Sequence, residues 1–296
     1  MEFIPQCKGT DSDTIKDVDV KWYSIGDFIA HDCWYWSIKY DGQYAQIHID
    51  EAGNVLFYTS SGKPYTNETL ANDLVSRIPD EFYPLVLEAE YLGNGEGKLG
   101  GRNAAAVVTT ARTAYAKGIS YSAEHKIRIF DIICPFDGDK PPVRFKDRLE
   151  MLKDLQTYLD GSKYIACVEY FKCDKLEDAY TVRNKIVGRG YEGVYVKNTC
   201  HVQRAGKRVK DALKFKIKNT TTLTIVGIDE GTGRFKDLIG AFICVDANGM
   251  NVNVGSGLSD EVRRLPRKSV MGKRIRINYE RVDQTYIFPI FIDFCE

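Results

Sequence analysis

Residues 212–255, ALKFKIKNTTTLTIVGIDEGTGRFKDLIGAFICVDANGMNVNVG, change character at Asn219. Before that point the chain mixes helical and strand patterns. After it come short runs of β-branched and aromatic residues broken by Gly-rich turns, with one helical stretch, SDEVRRL (Ser259–Leu265). Residues 219–296 are therefore expected to form an all-β domain of five short strands closed into a barrel, with a hinge at Asn219-Thr220, and residues 1–218 a separate domain.

Upstream, Val18–Asp50 is dense in aromatic and β-branched residues and reads as strands, with QYAQIHID alternating polar and apolar positions. NVLFYTSSGKPYT, LVLEAEYLG, HKIRIFDII, KYIACVEYF, EGVYVKN and DALKFKIKN read as further strands. Helical spacing marks TLANDLVSRIPDEF, NAAAVVTTARTAYAKG, LEDAYTVRNKIVGRG and, ended by a glycine, RFKDRLEMLKDLQTYLDG. Strands and helices do not alternate regularly, so the fold class is α+β rather than doubly wound. The second domain suits an OB-fold barrel or an SH3-like one.

The 296 residues carry 41 Lys+Arg against 41 Asp+Glu, so a polyanion would be held by local patches and not by a global field. No apolar run is long enough for a membrane span, and the acidic N-terminus MEFIPQCKGTDSD lacks signal-peptide character. A cytoplasmic location without membrane contact is expected. Eight cysteines without a CxxC pair suit reduced thiols. The four histidines, His31, His48, His125 and His201, show no ligand spacing, and GRGYEG at 188–193 precedes a strand, not the helix a dinucleotide fingerprint needs.

Lys39 stands in IKYDG between an aromatic strand and a polar one. Taken alone it is a surface turn. As a nucleophile it must lose a proton, which burial or nearby cations would favour. Cations are abundant in one place: from Lys197 to Lys218 there are eight basic residues against one acid, Asp211. Lys214, Lys216 and Lys218 share parity, so an unbroken strand puts three ammonium groups on one face, an arrangement that calls for an anion such as polyphosphate or a nucleic-acid backbone. Glu88 and Glu90 share a face of LVLEAEYLG, and Glu192 opens EGVYVKN. Carboxylates with lysines have the composition of a magnesium-assisted phosphoryl-transfer site.

Taken in order, KYDG at 39–42, LEAEYL at 87–92, RIFDII at 128–133, EGVYVKN at 192–198 and ALKFKIK at 212–218 resemble motifs I, III, IIIa, IV and V of the covalent nucleotidyltransferases. These comprise polynucleotide ligases and mRNA capping enzymes. The second domain is similar to the OB domain of ATP-dependent DNA ligases, and the size resembles minimal two-domain viral and phage enzymes, in which case the location is the host cytoplasm. With 38 residues ahead of Lys39, a nicotinamide-recognition domain has no room, so the resemblance implies ATP. It further implies a monomer that seals nicked double-stranded DNA with Mg2+, or Mn2+, through a lysyl-AMP.

Carried over by position, Lys39 becomes the AMP-lysine, Asp41 helps position the nick, and Lys214 and Lys216 contact the α-phosphate. Ser37, Ile38, Glu90, Phe130 and Lys197 complete the nucleotide site, with Phe130 on the adenine, and Glu90 and Glu192 hold the metal. Three departures stand out. Tyr44 occupies the place of the motif I arginine, Ser60 or Ser61 that of the next arginine, and no motif VI is evident in TYIFPIFIDFCE. Lys63, Arg274 and Arg276 are the candidate substitutes. The alternatives are an RNA ligase or capping-type enzyme, which shares the five motifs, and a non-catalytic nucleic-acid-binding relative.

Overall fold

The computed structural model describes residues 3–11, 34–99, 103–134, 142–174, 176–216, 218–282 and 284–295. The expected strand text of 18–33, with His31 and Cys33, lies outside the described residues. The chain divides into compact units Met1–Lys216 and Ile217–Glu296, two residues ahead of the expected 218/219 boundary.

The first unit is built on two sheets. One has five strands in the order β1-β11-β10-β2-β9, made of β1 (Lys8–Asp11), β2 (Trp34–Lys39), β9 (Phe171–Cys173), β10 (Gly193–Asn198) and β11 (Arg208–Lys216). The other has six, β5-β4-β3-β6-β7-β8, made of β3 (Gln43–Ile49), β4 (Val55–Tyr58), β5 (Pro64–Tyr65), β6 (Leu85–Gly93), β7 (Lys126–Ile132) and β8 (Ile165–Cys167). Helices α1 (Glu68–Val75), α2 (Asn103–Ala116), α3 (Phe145–Leu159) and α4 (Leu176–Gly188) stand where helical spacing is read from the sequence. Helix α3 buries Phe145, Leu149, Leu152, Leu155 and Leu159, one helical stripe. Of these, Leu152, Leu155 and Leu159 join Ile47, Leu87 and Ile129 of the six-stranded sheet in its core. A second core joins Val194, Val196, Leu213 and Phe215 of the five-stranded sheet to Ala179 and Ile186 of α4.

The structure departs from or adds to the sequence reading at several points. KYIACVEYF is not one strand: it splits into β8 and β9, which belong to different sheets, so the chain crosses between sheets at Val168–Tyr170. In the alternating strand QYAQIHID the polar side chains of Gln46 and His48 are buried as well. The N-terminal segment lies against Gln46, whose amide exchanges two hydrogen bonds with the Ile4 backbone at 3.0 and 2.8 Å. That segment continues into β1, parallel to β11, a strand that carries no sequence signal. The lysine ladder is shorter than expected, since β11 ends at Lys216 and Lys218 lies past it, exposed.

In the second unit, β12 (Asn219–Glu230), β13 (Ile239–Val245), β14 (Asn251–Val254), β15 (Arg274–Tyr279) and β18 (Ile290–Phe294) form an antiparallel sheet in the order β14-β13-β12-β15-β18. A small ribbon pairs β16 (Arg281–Val282) with β17 (Tyr286–Ile287). The expected barrel is not fully closed: the edge strands β14 and β18 approach through a single bridge, Ser256 to Ile290. Besides α5 (Asp260–Arg263) at SDEVRRL, a further one-turn helix, α6 (Arg267–Val270), follows Pro266, whose fixed φ suits a helix start.

Gly193 is the tightest backbone position near the strands that carry the lysines. At its φ of +152° a Cβ would collide with the Phe215 carbonyl oxygen and sit 3.2 Å from the Lys216 Cα. Gly193→Ala is expected to destabilise the first unit by about 2–4 kcal/mol, read as a lowered melting temperature in circular dichroism. An unchanged melt would show that β10 and β11 can part without cost.

Candidate active site

Strand register brings the predicted lysines together. Gly193 of β10 pairs with Lys39 of β2 on one side and Lys216 of β11 on the other, and Tyr195 pairs with Ser37 and Lys214. Period-two geometry then places Ser37, Lys39, Tyr195, Lys197, Lys214 and Lys216 on one face of three adjacent strands. Ile38 points the other way, where its side chain packs against the core of the five-stranded sheet. A cleft lies between that face and the six-stranded sheet, lined by Ser37, Ile38, Lys39, Lys197 and Lys214 from one side and by Glu88, Glu90 and Phe130 from the other. Glu192 adjoins it through its ion pair with Lys39, and Lys216 through its own pair with Glu192. Asp41 lies just past β2, its backbone N–H donating to the Gly97 carbonyl at 2.8 Å.

Glu192 is the charge centre. Its carboxylate accepts from the ammonium groups of both Lys39 and Lys216. Burial alone would raise its pKa, but the two ammonium groups outweigh burial and hold it below the usual carboxylate range. Burial would likewise lower Lys39, yet Glu192, Glu90 and Asp41 outweigh it and hold the amine above its ordinary value. This corrects the expectation that neighbouring cations depress Lys39: its nearest groups are carboxylates, and Lys216 reaches it only through Glu192.

Glu90 behaves differently. It is half-buried opposite Arg128 on β7, accepts the Gly42 N–H at 3.1 Å, and is pushed up to about 7 by desolvation. Gly42 has to be glycine for space, not for a turn angle, since a Cβ would sit 2.5 Å from the Tyr91 carbonyl oxygen and 2.9 Å from Glu90 Cγ. Glu88 also rises to about 7, through burial first and the neighbouring Asp131 second. Tyr44, where the motif I arginine was expected, donates its hydroxyl to Glu88 at 2.8 Å, and Gln203 donates to the other Glu88 oxygen at 3.2 Å.

Several cleft residues are not singled out by the sequence. Asp131 is buried between Arg148 and Lys197, 2.8 and 2.7 Å away. His201 lines the cleft and meets Asp211 at 2.9 Å. Tyr170 enters where the chain crosses between sheets, and Gln6, Cys7 and Lys8 line the cleft from the N-terminal segment. Asp131 does leave one trace, an acid inside the apolar strand RIFDII, which is rare without a buried partner. Of the substitute cations, Lys63 is exposed in the turn before β5, and Arg276 is paired with Asp293 on the second unit.

Among the described residues no group of three or more His, Cys, Asp or Glu forms a self-contained metal site. Glu90 and Glu192 still fit Mg2+ in its common mode, one or two carboxylates completed by substrate phosphates.

The family model described as the ATP dependent DNA ligase domain matches residues 22–216, and that of the DNA ligase OB-like domain matches 230–294. A DNA ligase 2 of Methanosarcina mazei is 34% identical over 114 residues, covering 36% of this chain and 20% of the relative. A DNA ligase of Thermococcus fumicolans is 26% identical over 236 residues, covering 76% of this chain and 41% of the relative. The chain thus spans less than half the length of these curated relatives. Among solved structures, a Lig E DNA ligase described as binding DNA with a minimal scaffold superposes with a TM-score of 0.71 at 17% identity, covering 99% of this chain and 100% of its own. The ATP-dependent DNA ligase of bacteriophage T7, in complex with ATP, gives 0.54 at 16% identity, covering 98% of each chain. These two likenesses speak to the fold.

The raised pKa of Glu88 has a stability consequence. A carboxyl that holds its proton better folded than unfolded stabilises the fold fully below its unfolded pKa near 4.5, and that contribution is lost as pH rises through about 7. Raising pH from 5 to 8 is therefore expected to remove on the order of 3 kcal/mol through this group. Melting temperatures across that range should fall for the native protein and fall less for Glu88→Gln. Parallel pH profiles would count against a protonated Glu88.

Proposed function

This chain belongs to the ATP-dependent DNA ligase domain family, and we propose that it joins a 3′-hydroxyl to a 5′-phosphate at nicks in duplex DNA, acting as a monomer. The observation that carries the reading is the convergence of Lys39, Glu192 and Lys216 into one charge cluster, with Lys39 on the wall of the cleft.

In the first step the Lys39 Nζ attacks the α-phosphorus of ATP, an N–P bond forms, the P–O bond to pyrophosphate breaks, and the amine sheds its proton to solvent. In the second, an oxygen of the nick 5′-phosphate attacks the same phosphorus and frees Lys39. In the third, the 3′-hydroxyl attacks the 5′-phosphate and AMP departs. Lys214 and Lys216 offset charge on the phosphate oxygens, Phe130 offers its ring to the adenine, and Ser37 and the backbone at Ile38 line the nucleotide's path. Glu90 and Glu192 would hold a Mg2+ ion, or Mn2+, which when bound supplies further charge neutralisation on the triphosphate.

Before ATP arrives Lys39 is an ammonium ion, positioned by Glu192 but unable to attack. Below its raised pKa the free-amine fraction grows about tenfold per pH unit, so the rate of covalent labelling by ATP should climb steeply between pH 6 and 9. Lys39→Ala should abolish labelling with radioactive ATP and joining of a 5′-phosphorylated nick. Labelling that survives this substitution sinks the lysyl-AMP mechanism. Joining only when RNA supplies the 3′-hydroxyl would move the reading to an RNA ligase.

A further inference from the structure

Lys197 is buried at the cleft wall, and its ammonium group is engaged by contacts within the protein. It lies 2.7 Å from Asp131 Oδ2 and donates to the backbone carbonyl of Phe130 at 3.2 Å. The same carbonyl accepts the Tyr170 hydroxyl at 2.7 Å. Around the ammonium stand the rings of Phe130, Phe145, Tyr170 and Tyr195, with centroids 4.9 to 5.7 Å away. Arg148 grips Asp131 from the opposite side, at 2.8 and 3.2 Å, and donates to the Val143 and His201 carbonyls at 2.7 and 3.3 Å.

The topology gives these contacts a purpose. Phe130 and Asp131 belong to β7 in the six-stranded sheet, and Lys197 to β10 in the five-stranded sheet that carries Lys39. A buried ion pair between the two therefore fixes how far the Phe130 backbone stands from the lysine face. Two donors on one carbonyl are more than strand pairing requires, and they converge on the residue whose ring faces the cleft.

We propose that Lys197 is a positioning residue that acts through Phe130, setting the width of the slot in which a nucleobase lies against the Phe130 ring. It thus serves the nucleotide without touching it. Tyr170 is its partner in this role. The inference rests on the nucleotide reading of the cleft but not on turnover.

The test is binding of AMP, measured by calorimetry on Lys39→Ala protein so that no covalent step intervenes. The backgrounds are otherwise unchanged, Phe130→Ala, Lys197→Met, and the two combined, each with its melting temperature. Phe130→Ala and Lys197→Met are each expected to weaken AMP about tenfold, and the combination to be no weaker than Phe130→Ala within about twofold. Lys197→Arg should recover most of the affinity. Because removing one partner of a buried pair endangers folding, Tyr170→Phe provides a second route. It should weaken AMP about threefold with Phe130 present and leave it unchanged in Phe130→Ala. Losses that multiply, or an affinity untouched by Lys197→Met and Tyr170→Phe, would overturn the proposal. A protein that shows the coupling yet never labels Lys39 would refute the ligase reading while upholding this one.

Discussion

A single buried carboxylate holds the first unit together at its functional centre. Asp131 is almost inaccessible, yet it stays ionised: burial would raise its pKa, and the ammonium of Lys197 and the guanidinium of Arg148 outweigh burial and hold it far below the usual range. Each cation comes from a different element, β10 and α3. An unpaired charge there would be costly, so sheet, sheet and helix are committed to one mutual arrangement. The cleft is the space which that arrangement leaves. Its walls are defined by an ion cluster that takes no part in the chemistry.

On the opposite wall the same physics is used less completely. Glu192 satisfies two lysines at once and neither is fully enclosed, with 19% of the Lys39 side chain and 29% of that of Lys216 exposed. Partial exposure keeps the pairs exchangeable. In the proposed mechanism a triphosphate entering the cleft would offer oxygens in place of the Glu192 carboxylate on Lys216 and leave that carboxylate to a cation. The Asp131 cluster, closed on all sides, offers no such exchange. Two clusters of similar composition thus divide into a fixed frame and a replaceable set.

This division also separates what the sequence disclosed from what it hid. Lys39 and Glu192 were legible through the resemblance of KYDG and EGVYVKN to family motifs, whereas Lys214 and Lys216 were legible because strand parity is a local rule that places both on one face of 212–216 without knowledge of the rest of the chain. The helices were legible for the same reason at a different period. The roles of Asp131 and Arg148, and the pairing of Lys197 with Asp131, were not, because they depend on partners 17 and 66 residues apart whose approach is set by packing. The split of β8 from β9 and the parallel addition of β1 were hidden likewise: nothing local in KYIACVEYF announces a change of sheet, and KGTD has no strand propensity. The third lysine of the ladder failed for a simpler reason, since parity holds only while the strand lasts, and β11 stops at Lys216.

Tyr44 shows how a departure can be consistent with its surroundings. An arginine at this position would face Glu88 across β3 and β6 and, as a cation beside a buried carboxyl, would pull its pKa down and fix a charge there. With tyrosine the hydroxyl donates to Glu88, Gln203 donates to the other oxygen, and the carboxyl, pushed up to about 7, can hold a proton beside the permanently charged Asp131. Removing the cation and softening the anion go together, because two ionised carboxylates in adjacent strands would repel without a third positive group between them. The substitution therefore changes the charge of the cleft by less than its chemistry suggests. What it removes is a fixed positive group beside Glu88, leaving Lys8, Lys39 and Lys214 among the cations that line the described cleft.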